Sequence, residues 1–326
     1  LKRHTNLSQF EESIKPKKIS MKKILVLTVK PFAKAAVNGI KEIVEQSGNE
    51  FALLEKYESQ EAMLSAVKDA NALIIRSDKI TKEVMDAAPN LEIIVRAGAG
   101  YDNVDLAAAT EKGIVVMNTP GQNANAVAEL VIGMMIYKAR NFFNGKPGTE
   151  LKGKTLGLHA FGNVAQEVAR IAKGIGMEIY AFDPFLTDEQ IASKGVTPVH
   201  SAEDLYSKCQ YVSLHIPAVK ETIQSINYDL LSKMPANGVL VNAARKEVIH
   251  EEDLVRFMAD HEDFAYLSDI APDNKAVFEE KFTGRFYFTP KKMGAQTAEA
   301  NINAGLAAAN QIKNFFEKGE IKFKVN

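Results

Sequence analysis

Only one cysteine occurs in the 326 residues, which excludes an internal disulfide. Cys209 stands just before the apolar run Tyr211-Val212-Ser213-Leu214 and reads as a small buried thiol, not a reactive one. Charge of one sign is lacking too. Forty basic against 41 acidic residues leave no electrostatic footprint for nucleic acid or an acidic membrane. No apolar run is long enough to span a bilayer: the most apolar stretch, 126–137, is short and carries Glu129. Residues 1–20 lack the apolar core of a secretory signal, and Glu11 and Glu12 argue against a transit peptide. They read as a disordered extension ahead of Met21, and the expected location is the cytoplasm. No metal is expected, since the histidines follow no ligand spacing.

What is present is ordinary globular material, 46% apolar and 25% charged, with a length that suggests about two domains. From Met21 onward, short apolar runs alternate with helical patterns of 3.6 period. The runs at 24–29, 51–55, 72–76, 92–97 and 115–117 predict five strands. Those at 155–160, 178–182, 211–215, 238–242 and 264–268 predict five more. Two consecutive βαβ arrays imply an α/β protein with two doubly wound parallel sheets, each covered by helices on both faces. A long helix is expected from 123 to about 143 between the arrays, and another from about 298 to 316 after them.

The stretch from Val95 to Glu129 is the most informative. An apolar strand breaks into Arg96-Ala97-Gly98-Ala99-Gly100, whose bare backbone at a strand end lets a ligand approach. Tyr101-Asp102-Asn103-Val104-Asp105 follows. A turn, Asn118-Thr119-Pro120-Gly121, then opens a helix, with Asn123 placed to cap it. On these residues the chain resembles the D-2-hydroxyacid dehydrogenase family, and within it the D-3-phosphoglycerate dehydrogenases, over roughly residues 22–318. The resemblance implies a Rossmann NAD-binding domain over 121–296 and a smaller, flavodoxin-like substrate domain over 21–120 and 297–326. The last helix then returns to the smaller domain, in a short form without a regulatory domain after Asn326. It also implies a homodimer formed through the Rossmann domain, although the 141–153 connector is shorter than usual for the family.

The strand Thr155-Leu156-Gly157-Leu158-His159 leads into Ala160-Phe161-Gly162-Asn163-Val164-Ala165, with a helix expected from Gln166. This occupies the place of a GxGxxG fingerprint but reads A-x-G-x-x-A. Gly162 keeps the position where backbone meets a pyrophosphate, with Asn163 and Val164 beside it. About 20 residues on, a second strand ends in Asp183, an acid placed for the adenosine ribose hydroxyls. Pro184 and Phe185 follow with no cation to receive a 2′-phosphate, so NAD is favoured over NADP. Family resemblance adds His215, Ile216 and Pro217 as cleft-lining residues, His215 being structural. It adds Ala99, Ala243, Ala244, Gly294 and Ala295 around the cofactor, and Asp269 as the acid facing the nicotinamide carboxamide.

The strand Val239-Leu240-Val241-Asn242 ends in Ala243-Ala244-Arg245, similar to the family's NAARG element with Lys246 in place of Gly. The planar fork of Arg245 suits a 2-hydroxy acid carboxylate. Two family residues are missing. Asn274, with Asp273 adjacent, stands where the catalytic Glu is usual. No histidine occurs after His261, and the segment that normally carries the catalytic His reads Thr289-Pro290-Lys291-Lys292-Met293-Gly294. Counting forward from Pro290 puts Lys291 in its place; counting back from Gly294 puts Lys292 there, the preferred alignment. A lysine base needs its pKa lowered, which a Glu partner would oppose and a nearby arginine would assist.

Arg76, Ser77 and Lys79 end a strand and resemble the family's phosphate-side element, with Gly98, Ala99 and Gly100 on the substrate side. The function implied is NAD-dependent oxidation of 3-phospho-D-glycerate to 3-phosphohydroxypyruvate, the entry to serine synthesis, by hydride transfer with a lysine general base. A glycerate or hydroxypyruvate reductase, which would not need Arg76, is the enzymatic alternative. An NAD-sensing protein without turnover is the alternative of another class.

Overall fold

Alternating apolar strands and amphipathic helices build two parallel sheets in this computed structural model, which describes residues 21–326. The extension expected at 1–20 lies outside the described residues. The first sheet has strands β1 (Lys23–Thr28), β2 (Glu50–Glu55), β3 (Ala72–Ile75), β4 (Ile93–Arg96) and β5 (Val115–Asn118). Their order is β2-β1-β3-β4-β5, the flavodoxin-like winding. The second sheet has β6 (Thr155–His159), β7 (Glu178–Phe182), β8 (Thr197–Pro198), β9 (Tyr211–Leu214), β10 (Val239–Asn242), β11 (Ala265–Ser268) and β12 (Phe286–Phe288). Its order, β12-β11-β10-β9-β6-β7-β8, is the Rossmann winding.

Burial explains why the central strands read as continuous apolar runs. Each sheet carries a hydrophobic cluster on both faces, as parallel sheets covered by helices require. The helix Ala298–Lys318 packs on the helix Lys34–Gln46 of the first sheet, where Gly39 lies under Leu306 and Gly305 under Ile40 and Phe32. The Thr297 hydroxyl caps its first turn, accepting from Ala300 N at 3.1 Å. Past that helix, Lys324 pairs antiparallel with Met117, and Val325 N donates to Val116 O at 2.9 Å. The free edge of β5 is thereby covered.

Several expectations are corrected. The helix after the Asn118 turn runs Ala124–Ala139, not to 143, because Asn141, Phe142 and Phe143 all take left-handed backbone angles. Asn123 precedes it, yet its side chain makes no capping bond. The helix after β6 begins at Asn163, three residues before Gln166, with Gly162 at its N-cap. Two edge strands were not expected. β8 is only two residues long, and Phe286-Tyr287-Phe288 is too short between Gly284 and Pro290 to register as a strand run.

Candidate functional site

In doubly wound sheets the ligand crevice opens at the carboxyl ends of the strands where the order reverses. Here the reversals fall between β1 and β3 and between β6 and β9. At the second, β6 gives way to Ala160, a non-glycine residue at φ 72°, and then to Gly162 at the start of the helix Asn163–Gly174. No side chain caps that helix, so its first N–H groups are available to an anion. Asp183 ends β7 and braces the loop: one carboxylate oxygen accepts from Phe161 N at 2.8 Å, the other from Phe185 N at 2.9 Å. Each oxygen keeps lone pairs for a further donor.

Beside this loop lies a largely apolar cleft of about 800 Å³, lined by Asp183, His215, Ile216, Pro217 and Thr222 among others. Burial pushes His215 down to about 3, helped by neighbouring His159, and His215 Nε2 has no hydrogen-bond partner among the described residues. Burial likewise pushes His159 down to about 4, and its Nδ1 lies 3.3 Å from Tyr206 Oη. Both imidazoles are therefore neutral near pH 7. A helix N-terminus, a ribose-side carboxylate and an apolar slot with an orphaned imidazole nitrogen fit a dinucleotide.

The second half of the site hangs on β10. Buried Asn242 shapes its end: Oδ1 accepts from Ala244 N and Nδ2 donates to Arg245 O, both at 2.9 Å. Arg245 Nη1 donates to Ala244 O at 3.0 Å, and Lys292 Nζ reaches the same oxygen at 3.4 Å. Lys291 and Lys292 are both exposed, and Lys291 makes no hydrogen bond or ion pair among the described residues. Desolvation first, then the positive charge of Arg245, lowers the Lys292 pKa; Asp269, Glu247 and Asp102 act more weakly in the opposite sense. Asp273, beside the position of the absent Glu, is engaged by Lys246, and Glu251 accepts from the backbone N–H groups of Asp273 and Asn274.

On the facing sheet, Arg76 is held more tightly than its sequence suggests. Nη1 donates to Lys30 O and Pro31 O, both at 3.0 Å, and Nη2 to Asn301 Oδ1. Only Nε–H and one Nη2–H remain for a ligand. Ser77 and Lys79 are exposed next to it, while Asp78 is buried and accepts from Val29 N, Tyr57 Oη and Arg76 N. Gly98 is buried, Ala99 exposed and Gly100 half-buried.

Sequence reasoning passed over Arg96. Its Nε donates to Arg76 O at 3.1 Å, and its guanidinium lies against Gly98. A methyl group at Gly98 would fall 1.6 Å from Arg96 Nη1, and the backbone there has φ 146°, so glycine is required. Desolvation lowers the Arg96 pKa, Asp102 opposes this, and Arg76 and Arg245 reinforce it, which places the three arginines in one electrostatic neighbourhood. The available signal was its position at the end of β4, directly ahead of the bare backbone. Gly100 joins the halves: a methyl group there would meet Asp102 Oδ1 at 3.2 Å and Arg245 Nη2 at 3.5 Å.

A Rossmann sheet and a flavodoxin-like sheet meeting at a cationic cleft define a two-domain dehydrogenase architecture. The model of the D-isomer specific 2-hydroxyacid dehydrogenase catalytic domain matches residues 26–326, and the chain belongs to that family. It is 35% identical over 282 residues to the D-3-phosphoglycerate dehydrogenase of Methanocaldococcus jannaschii, a match covering 81% of this chain and 53% of the relative. It is 32% identical over 280 residues to the hydroxypyruvate reductase of Thermotoga maritima, covering 81% and 90% respectively. Thus the chain spans about half the length of the phosphoglycerate dehydrogenases it matches, but most of that reductase. A crystal structure of NAD+-bound 3-phosphoglycerate dehydrogenase from Entamoeba histolytica superposes with a TM-score of 0.83 at 51% identity, over 94% of this chain and 99% of that one.

Proposed function

We propose that this chain is an NAD-dependent dehydrogenase that oxidises 3-phospho-D-glycerate at C2 to 3-phosphohydroxypyruvate, the entry to serine synthesis. The observation that carries the reading is the meeting of Lys292 and Arg245 at the Ala244 carbonyl, across from Arg76 and Arg96. Arg245 binds the substrate carboxylate and orients the C2 oxygen. Neutral Lys292 takes the hydroxyl proton; Lys291, which makes no contact with the Ala244 carbonyl, is the lesser candidate. Arg76 and Arg96 hold the phosphate, with Ser77 and Lys79 at its edge, and the Gly98-Ala99-Gly100 backbone faces the substrate.

When bound, NAD supplies the hydride acceptor. Gly162, Asn163 and Val164 hold its pyrophosphate, Asp183 its ribose, and His215, Ile216 and Pro217 the cleft wall, with Ala243, Ala244, Gly294 and Ala295 toward the nicotinamide. Asp183 excludes a 2′-phosphate, so Asp183→Ala narrows the preference for NAD over NADP. The working units are a substrate domain, 21–120 with 297–326, and a cofactor domain, 121–296. The expected assembly is a cytoplasmic homodimer joined by the cofactor domains. Phe143, 68% exposed beside Tyr137 and Phe142, gives such a contact an apolar anchor. Among the described residues no helix is long and apolar enough to cross a membrane.

Reduction of hydroxypyruvate to glycerate is the second reading. It is favoured by the engagement of Arg76 with Lys30 O, Pro31 O and Asn301, which leaves fewer donors for a phosphate. Assays of NADH formation and consumption against phosphorylated and unphosphorylated 2-hydroxy and 2-oxo acids decide. Preference for phosphoglycerate and phosphohydroxypyruvate is the expected result. Preference for the unphosphorylated pair selects the reductase, and NADH binding without turnover selects a sensor.

A further inference from the structure

Asp269 sits at the end of β11 and is 1% exposed. A carboxylate so deeply buried is costly unless its lone pairs are satisfied. All the donors it accepts from belong to one loop: Thr289 Oγ1 at 3.0 Å and Met293 N at 2.9 Å on Oδ1, and Gly294 N at 2.8 Å on Oδ2. Its own N–H donates to Asn242 O at 2.9 Å, on the residue whose side chain shapes the Arg245 turn. The approach is close. A methyl group on Gly294 would lie 2.9 Å from Asp269 Oδ2 and 3.3 Å from Val127 Cγ2. The residues on either side of Lys291 and Lys292 are therefore anchored, through one buried carboxylate, to the strand ends that carry Arg245.

We propose that Asp269 is a positioning residue that staples the loop 289–294 to the β10–β11 strand ends and so sets the Lys292 ammonium at the Ala244 carbonyl. This goes beyond a contact with the nicotinamide carboxamide, the role family resemblance gives this acid. Three donors already share its two oxygens, and all three serve the lysine loop. The catalytic part of the inference rests on the reading of Lys292 as base; the anchoring part does not.

The test uses the full chain, with Asp269→Asn and the milder Thr289→Val as variants. Thr289→Val keeps the carboxylate and both backbone bonds, so it guards against a misfolded Asp269→Asn. Limited trypsin digestion, read by mass spectrometry, reports cleavage after Lys291 and Lys292. Cleavage in Asp269→Asn is expected to accelerate about tenfold or more, with a smaller gain in Thr289→Val, because local opening exposes the loop. Turnover should fall about 10–100-fold in Asp269→Asn, the scale of loss from an ångström of misplacement. KM for the hydroxy acid should move less than about threefold, the signature of a lost transition-state interaction. The same turnover loss is expected with 3-acetylpyridine adenine dinucleotide, which has no carboxamide NH2. Unchanged cleavage in both variants overturns the staple, as does a turnover defect that vanishes with the acetylpyridine cofactor. Faster cleavage in Asp269→Asn together with full turnover in Lys292→Met leaves the staple standing and removes Lys292 as the base.

Discussion

Lys291 and Lys292 are adjacent in the chain, and their surroundings separate them. Both are exposed, but Lys292 reaches Ala244 O beside Arg245, whereas Lys291 makes no such contact among the described residues. Lys292→Met is expected to lose about 10²–10⁴ in turnover, the usual worth of a general base, with NADH binding retained by fluorescence titration. Lys291→Met should lose far less; the reverse ranking would move the base one residue back. Because only neutral lysine accepts a proton, oxidation should rise with pH and reduction should fall. Desolvation and Arg245 place that limb below the ordinary lysine value of 10.5. A second test at this scale concerns Arg96, whose partly desolvated guanidinium lies beside Arg76. Arg96→Ala should weaken phosphoglycerate by about 1.5–3 kcal/mol, the range for a charged hydrogen bond, and leave glycerate little changed. Equal losses on both would assign Arg96 to folding. Arg76→Ala should also lower the melting temperature, since its donors tie the Lys30 loop to Asn301.

Among the elements, the helix Ala298–Lys318 decides how the chain closes on itself. It follows the last strand of the second sheet in the chain and packs on the helix Lys34–Gln46 of the first through small residues at the contact. A methyl group on Gly305 would lie 2.9 Å from Ile40 Cδ1 and 3.3 Å from Phe32 Cε1. Gly305→Val therefore overpacks the contact and should cost about 1–3 kcal/mol in urea unfolding. Arg76 stacks over the Phe32 ring at 5.2 Å and bonds Asn301 on the same helix, so the variant should also raise KM for phosphoglycerate. Unaltered stability would mean that the two helices part without cost. The sequence predicts this helix at about 298 to 316, and its start and stop follow local rules: the Thr297 cap, then Gly319 in the left-handed conformation. Local rules failed for the helix after Asn123, which stops at Ala139. The connector there turns through three left-handed residues, of which only Asn141 is of a type that favours that conformation.

At the scale of the whole molecule, two imidazoles beside the dinucleotide cleft, His159 buried and His215 half-buried with its Nε2 shielded, make stability depend on pH. His159 and His215 have folded values of about 4 and about 3, below the ordinary 6.5. The unfolded chain therefore binds more protons between those values and 6.5, and stability rises with pH across that window. It should be fully present above pH ~6.5 and lost as pH falls toward ~4. A melting scan across that range checks the sign, and His159→Gln should flatten the curve. A melting temperature that stays level through the window would place both histidines in contact with solvent.

Strand positions, parallel winding and the places of the fingerprint loop, Asp183 and Arg245 at the strand ends were legible because each depends on near neighbours in the chain. Burial on both faces makes a strand uniformly apolar, and a helix N-terminus beside a glycine makes an anion site wherever it falls. The sequence likewise determined that a lysine replaces the usual histidine, since residue identity is written there. It left the choice between Lys291 and Lys292 to an alignment argument. The tertiary structure adds a contact the sequence could not show, Lys292 Nζ at 3.4 Å from Ala244 O, a residue 48 positions back along the chain. It also decided that Arg96 joins Arg76 and Arg245, and that Asp273 is drawn off by Lys246. Those outcomes depend on distances across a cleft between two sheets, and charge and burial act through space without regard to sequence separation.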